Sequence, residues 1–361
     1  MKKLIVCSLM ALLFCGCGRD AAQLTVVTSI GVDGQAGEYQ VGAEVIRLTD
    51  GGQGGQDSQS GQSVYLRGTG ITITDSINNM VSMTGRSLYC NHTQVIIVSR
   101  ETAENGMDPI LGELLRGTQY PISVRLAVSG ETAAQTLRAK PVVSDLHSVE
   151  LEDMIREGAK QCLTPDMDAS SFYQQIAAPG IEGVLPFMVL EERDGDAVCS
   201  LDGTALFRDD RMLAVLDARD SRCLMWMLGE TGGTLVTEHA VFEVMDLDRS
   251  LSADKDGGKL SLKLVLKASD SEENREALIA EAENTLERRC RSLIRQLQKL
   301  ECDAVGFGNR IYQKHPDQWA ALEKDWPRRF ADYPISVEVK VDNLIWGRIW
   351  SDGAQEGRYG S

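Results

Sequence analysis

The sequence predicts an α+β (mixed α/β) protein, a lipid-anchored multi-domain ectodomain with an N-terminal α/β layer domain and a C-terminal sheet packed by one long amphipathic helix. Three observations carry this. The first residues have the build of a lipoprotein signal peptide. From Ser63 onward, short apolar runs alternate with helical periodicity. Beyond Glu191 the chain is strand-rich until a single long apolar stripe appears.

Met1, Lys2 and Lys3 form a positive start, and Leu4 to Phe14 are almost wholly apolar. That run is too short to cross a hydrocarbon core of about 30 Å, which takes roughly 20 residues in a helix. It fits the apolar region of a secretory signal. Gly16 followed by Cys17 has the form of a bacterial lipobox, in which the cysteine thiol takes a diacylglycerol and the signal is cut just before it. Cleavage before Cys15 would leave bulky Phe14 at the preceding position, so Cys17 is the expected lipid anchor. The rest of the chain is then expected at the extracytoplasmic face of the cell membrane.

Loss of residues 1–16 removes Lys2 and Lys3 and takes the formal charge from −16 to −18. Such a chain is a poor partner for nucleic acid or anionic lipid, both of which attract basic patches. The expected divisions are 1–16, the signal peptide; 17–195, an N-terminal α/β domain; 196–350, a C-terminal α+β domain, with a subdivision near residue 250 left open; and 351–361, a flexible tail.

Leu24 to Asp33 and Glu38 to Leu48 read as strands joined by a turn at Asp33-Gly34. Asp50 to Gln62 is rich in Gly, Ser and Gln and predicts a mobile loop. It has no Lys and opens no helix, which excludes a phosphate-cradling loop. Ser63 to Arg67 is a short strand. Thr74 or Asp75 can cap a helix that carries Ile77, Met80 and Val81 and closes at Gly85. Val95 to Val98 suits a strand covered on both faces. Ala103 to Leu115 reads as one helix with Ile110, Leu111, Leu114 and Leu115 inward. Ile122, Val124, Leu126 and Val128 alternate as the next strand. This alternation predicts an α/β layer. Glu150 to Gln175 is helical but interrupted by Pro165.

The run EERDGD, within Leu190 to Cys199, marks an exposed boundary. DGTALFRDDRMLAVLD then reads as two strands about a turn at Asp209-Asp210. Val236 to Leu247 and Leu260 to Ala268 continue the pattern, with Leu260, Leu262, Leu264 and Leu266 on one face. Asp270 with Glu273 offers a capping-box start for a long helix. Its stripe is Ile279, Leu286, Cys290, Leu293, Leu297 and Leu300, with Glu287 and Arg291 paired on the other side. Such a stripe packs on its own sheet more readily than it forms a partner-binding coiled coil, and Ile335, Val337, Val339 and Val341 supply a strand for it.

The chemistry-bearing residues do not assemble into a motif. His92, His147, His239 and His315 lack zinc spacing, and no nucleophile elbow, Walker loop or dinucleotide fingerprint occurs. Adjacent carboxylates such as Asp209-Asp210, Glu191-Glu192 and Glu272-Glu273 read as turns or solvated faces. Cys90, Cys162, Cys199, Cys223, Cys290 and Cys302 are widely spaced among apolar neighbours, as free buried thiols would be. No catalytic, metal-binding or cofactor-binding residue is assigned.

The segment CDAVGFGNRIYQKHPDQWAALEKDW, Cys302 to Trp326, is distinctive: a Gly-Phe-Gly break, then Tyr-x-Lys-His-Pro-x-x-Trp at a helix start. It resembles the Ger(x)C family of spore germination lipoproteins, the C subunits of nutrient germinant receptors. Other stretches agree in order: GRDAAQL after the lipobox, Gly31-Val32-Asp33, RSLYCNHTQVIIVSRETAENGMDPIL from Arg86 to Leu111, LDGTALFRDDRMLAVLD, and then Trp226 with Gly229. Together they cover Cys17 to about Trp346. Gly18 and Gly117 depart from the family pattern. The resemblance implies a non-enzymatic receptor subunit that works by protein–protein contact with integral-membrane subunits of the same receptor, at the inner membrane of a spore. A nutrient contact by this chain is left unassigned. Within the motif, Gly306 and Gly308 are expected to break the long helix with φ > 0, Pro316 to open the next helix with His315 near its cap, and Trp319 to fold onto the core. A solute-binding lipoprotein of a transporter is the alternative and predicts two similar doubly wound lobes. An anchored hydrolase lacks a visible constellation.

Overall fold

The computed structural model describes residues 25–47, 63–268 and 274–346. The signal segment 1–16, Cys17, the glycine-rich stretch 50–62, the cap candidates Asp270 and Glu273, and the tail 351–361 lie outside the described residues. The fold is mixed α/β with two sheets. Among the described residues no helix is long and apolar enough to cross a membrane. The chain forms two compact units. The first runs to Glu152 and adds Asp168–Ser170 and Val189–Ser200; the second holds Asp153–Met167, Ser171–Met188 and the chain from Leu201 on.

The first unit begins with β1 (Thr25–Gln35), β2 (Glu38–Arg47) and β3 (Ser63–Gly70), an antiparallel meander. The first turn lies at Ala36-Gly37, not at Asp33-Gly34. Gly34 pairs with Tyr39 inside the ladder, and Asp33 is spent elsewhere, as described below. Helix α1 (Ile73–Asn79) is capped by Thr72, whose side chain accepts from the Asp75 N–H, rather than by Thr74 or Asp75. A short turn, α2 (Val81–Thr84), ends on Gly85 in the left-handed conformation.

After β4 (Leu88–Tyr89), strand β5 (Val95–Ser99) is buried throughout. It lies between β1 and β6 (Arg125–Ser129), parallel to both. Coverage on both faces is what a continuous apolar run provides for in a parallel sheet. The expected single helix between β5 and β6 is two, α3 (Arg100–Asn105) and α4 (Asp108–Arg116). Gly106, at φ +124, separates them. The strand after them starts at Arg125, because Val124 N–H closes a turn onto Pro121 O at 3.1 Å and leaves Ile122 exposed.

Helix α5 (Ala133–Leu137) follows β6 and sits on β1. A Cβ at Gly31 would lie 2.9 Å from Leu137 Cδ1 and 3.1 Å from the Ala133 backbone, so a larger residue there must shift α5 on the sheet. Asp33 supplies the helix start: its carboxylate accepts from Ala133 N–H at 2.7 Å and Ala134 N–H at 3.0 Å. Next come α6 (His147–Lys160) and α7 (Ala169–Ala177), with Pro165 between them. Buried Glu44 on β2 caps α6 in the same way. It accepts from His147 N–H at 3.1 Å and Ser148 N–H at 2.9 Å, and from the Thr28 hydroxyl at 3.0 Å. The hairpin tip of β7 (Val184–Arg193) and β8 (Asp196–Arg208) completes the unit.

In the second unit, β8 pairs with β9 (Arg211–Leu216) about Asp209, and Asp217 caps α8 (Ala218–Leu228). The second sheet has the order β10 (Thr234–Val236), β11 (Val241–Ala253), β12 (Gly258–Ala268), β13 (Ile335–Trp346). The first three are antiparallel, and β13 runs parallel to β12. A parallel neighbour needs a crossover. Its described part runs through α9 (Arg275–Lys299), α10 (Phe307–Lys314), α11 (Pro316–Leu322) and α12 (Trp326–Ala331). Leu286, Cys290, Leu293 and Leu297 of α9 join Leu260, Leu262, Leu264 and Leu266 of β12 in one buried cluster. Glu287 and Arg291 pair across the outer side of α9 at 2.6 Å. Glu283 accepts from the edge N–H of Val341 at 2.8 Å, which blunts β13 as a template for further strands.

Burial raises the Glu44 carboxyl, but its hydrogen bonds to Ser148, Thr28 and His147 outweigh that and hold it below the ordinary value of 4.5. The folded chain therefore binds this proton more weakly than the unfolded chain. The stabilisation is complete above pH 4.5 and is lost as pH falls further. Glu44→Gln is expected to lower stability by about 1–3 kcal/mol at pH 7, because its amide turns a donor toward backbone donors. Urea unfolding of the variant and the parent at pH 7 and about pH 3.5 checks this: the gap narrows in acid.

Candidate functional site

The distinctive C-terminal motif lies in the second unit and is organised by one residue that no functional motif singles out, Asp303. Helix α9 does not continue to Gly306. It ends in a Schellman arrangement, with Cys302 N–H on Leu297 O at 3.0 Å and Glu301 N–H on Gln298 O at 2.9 Å. The left-handed position, normally a glycine, is Glu301 at φ +50. The expected break at Gly306 and Gly308 thus comes earlier. The buried run Cys302–Val305 then turns inward.

Asp303 is fully enclosed, and its carboxylate takes four N–H donors. Oδ1 accepts from Gly306 at 2.8 Å and Phe307 at 3.1 Å; Oδ2 accepts from Gly308 at 2.7 Å and the Trp326 indole at 3.1 Å. These donors include the first free N–H groups of α10, which the carboxylate satisfies together. Gly306 has φ +87 and forms the cap of α10; Gly308 does not have positive φ. Gly308 is required for space: a Cβ there would lie 2.5 Å from Trp326 Nε1 and 2.9 Å from the Gly180 Cα. That close approach is locked by Asn309 N–H on Gly180 O at 2.7 Å and the Asn309 amide on Pro179 O at 2.9 Å.

Trp319 is buried and meets Trp326 edge-on, with ring centroids 5.6 Å apart. Pro316 opens α11 at its first turn, and His315 sits at the junction, exposed, with its N–H on Ile311 O at 2.7 Å. The structure therefore gathers Gly306, Gly308 and Trp319 around Asp303 and Trp326, and leaves His315 and Pro316 at the surface. Cys17 lies outside the described residues. Asp303, Gly180 and Trp326 carry no functional motif of their own; the Asp-x-x-Gly spacing before a helix is the signal that could have pointed to the cap.

A second acid belongs to this cluster. Glu182 donates its backbone N–H to Asp303 O at 3.1 Å, and its carboxyl accepts from Asp209 N–H at 2.9 Å. Burial, then the charges of Asp209 and Asp303, push Glu182 up to about 7. Burial likewise pushes Asp303 up to about 6, against the pull of its four donors.

Elsewhere, one Cys–His approach stands out in the first unit. Cys199 Sγ lies 4.0 Å from His147 Nε2, both buried. The same ring nitrogen faces Thr136 O at 2.8 Å, and burial pushes the thiol up to about 12. A thiol so far from ionisation is no nucleophile. All six described cysteines are buried and none is in a disulfide.

Asp303→Asn offers one acceptor where two are needed and turns an amide donor toward N–H groups. It is expected to lower stability by about 2–4 kcal/mol at pH 7. The folded Asp303 holds its proton more tightly than the unfolded residue, whose value is 3.8, so its contribution to stability is largest below that value and falls as pH rises through about 6. Urea unfolding followed by tryptophan fluorescence is expected to show a flatter dependence between about pH 4 and 7 in the variant. An unchanged midpoint at pH 7 would refute this.

The family model described as "Spore germination protein N-terminal domain" matches residues 18–190, and that described as "Spore germination B3/ GerAC like, C-terminal" matches residues 202–343. The chain is 23% identical to the Bacillus subtilis (strain 168) protein YfkR, with 93% of this chain and 95% of that one covered. It is 22% identical to "Spore germination protein KC" of the same organism, with 95% of this chain and 94% of that one covered. The crystal structure of the GerBC protein superposes with a TM-score of 0.55 at 16% identity, covering 85% of this chain and 94% of that chain, and shares its fold. With both family models matched in order along nearly the whole chain, the protein belongs to the Ger(x)C family of spore germination proteins.

Proposed function

We propose that this chain is the lipid-anchored C subunit of a nutrient germinant receptor, held by Cys17 at the outer face of the membrane and acting by contact with integral-membrane subunits. The observation that carries this is the order of its parts. The lipobox-like Gly16-Cys17 is followed at once by the germination domain that starts at residue 18, and the second domain follows it. Acyl chains contribute about 0.8 kcal/mol per buried methylene, so two or three chains suffice to hold the protein on a membrane. The net charge of −18 left after loss of residues 1–16 adds nothing to that attachment.

The reading is non-enzymatic and needs no cofactor. The buried acids near Asp303 are occupied by backbone donors, and the Cys199 thiol is too far from ionisation to react. Contact surfaces are available instead. Val142 and Val143 are 67% and 92% exposed, yet their N–H groups are both fixed on Glu150. A rigid apolar loop loses little entropy when a partner covers it. The alternative, a solute-binding lipoprotein, calls for two similar lobes. The two sheets here are unlike, one mixed with a parallel centre and one of four strands.

Spores lacking this chain are expected to lose nutrient-triggered dipicolinate release and to keep their response to a receptor-independent trigger. The intact gene restores the response; Cys17→Ala, which leaves the protein in the aqueous phase of a detergent partition, does not. A Cys17→Ala protein that stays membrane-bound and restores germination would refute the anchored reading.

A further inference from the structure

Where β11 meets the start of α10, a pocket of about 310 Å³ opens within the second unit. Its walls include two guanidinium groups, Arg249 from the strand and Arg310 from the helix, with Ser250, Asn309 and Gln313 around them. No carboxylate lines it. Among the described residues, neither arginine takes part in an ion pair. In a chain with 53 acidic and 37 basic residues, these two neighbouring cations have no carboxylate in direct ion-pair contact among the described residues.

Arg249 is held by its side chain, and Arg310 is fixed through its backbone. Arg249 donates through Nη2 to Val305 O at 2.9 Å, while its Nε is buried with no partner. Arg310 is in the first turn of α10, its N–H on Gly306 O at 3.0 Å. The carboxylate whose field reaches Arg249 is Asp303, and it is already filled by four N–H donors. It can lend Arg249 charge but no further acceptor. Burial lowers the Arg249 pKa, and the like charge of Arg310 acts in the same direction. Arg249 nonetheless remains cationic at neutral pH. A guanidinium fork recognises an anionic group that presents two oxygens in a plane.

We propose that this pocket binds a small oxyanion, the carboxylate or phosphate group of a small molecule, between the guanidinium groups of Arg249 and Arg310. Its volume lies at the small end of the range for ligand sites, roughly 300–1,000 Å³. The inference stands independently of the lipid anchor and of receptor assembly.

The test uses the full chain in non-ionic detergent, titrated separately with acetate, succinate and inorganic phosphate against sodium chloride at equal ionic strength. Binding is read by calorimetry and by the shift in melting temperature. Saturable binding of at least one oxyanion is expected, with chloride giving no comparable shift. Arg310→Gln weakens it by about tenfold or more, as loss of a charge-assisted contact predicts. Arg310→Lys keeps the charge without the fork and loses less, which keeps the comparison decisive if the glutamine variant melts early. The succinate and phosphate arms separate a carboxylate ligand from a phosphate one, and either supports the site. Failure of all three to saturate, an equal effect of chloride, or unchanged affinity in both Arg310 variants would overturn the proposal.

Discussion

The second unit depends on one buried carboxylate. Asp303 gathers three consecutive backbone N–H groups and an indole N–H, and each is a constraint on a different piece of chain. The backbone donors fix where α10 begins. The Trp326 indole ties α12 to that same point, and Trp326 in turn contacts Trp319 and Tyr333. Because the described part of the crossover from β12 to β13 runs through four α-helices, its path is decided at these junctions rather than by helix propensity. A buried anion with four donors is costly to desolvate and costly to leave incomplete, which makes the arrangement hard to vary piece by piece.

The same device recurs on a smaller scale. Asp33 caps α5, Glu44 caps α6, Glu150 holds the Val142–Ser144 backbone, Glu113 holds Ile73, and Glu281 holds Glu238 and His239. These carboxylates are thus used to close helix starts and loops. Carboxylates accept such bonds well because the helix N-terminus is itself positive. The two arginines beside α10 are the counter-example: cations left beside a carboxylate that has no lone pair to spare.

The strands were legible where periodicity is strong. Val95–Val98 had to be a covered strand, and the four leucines of β12 had to share a face, because burial follows the alternation of the backbone. Local turns were less legible. Thr72 rather than Thr74 caps α1 because the cap is chosen by which side chain reaches an N–H, not by which residue is nearest the apolar stripe. Gly106 splits a helix that apolar spacing alone would have run through. Glu301 occupies a position that usually belongs to glycine, so the end of α9 was placed too late.

The sequence by itself determined the family, the presence of an anchoring cysteine motif as an expectation, the mixed α/β class and the apolar faces of β5, β12 and α9. These follow from spacing along the chain, which is local. Only the tertiary structure decided that Asp303 is the centre of the C-terminal motif, that Gly308 is needed for the approach of Gly180, and that Arg249 and Arg310 share a pocket. Each of those depends on residues far apart in sequence meeting in space, with Gly180 and Gly308 brought within contact across more than a hundred residues. No periodicity encodes such meetings, because they are set by packing of whole elements and by which buried donor is left without an acceptor.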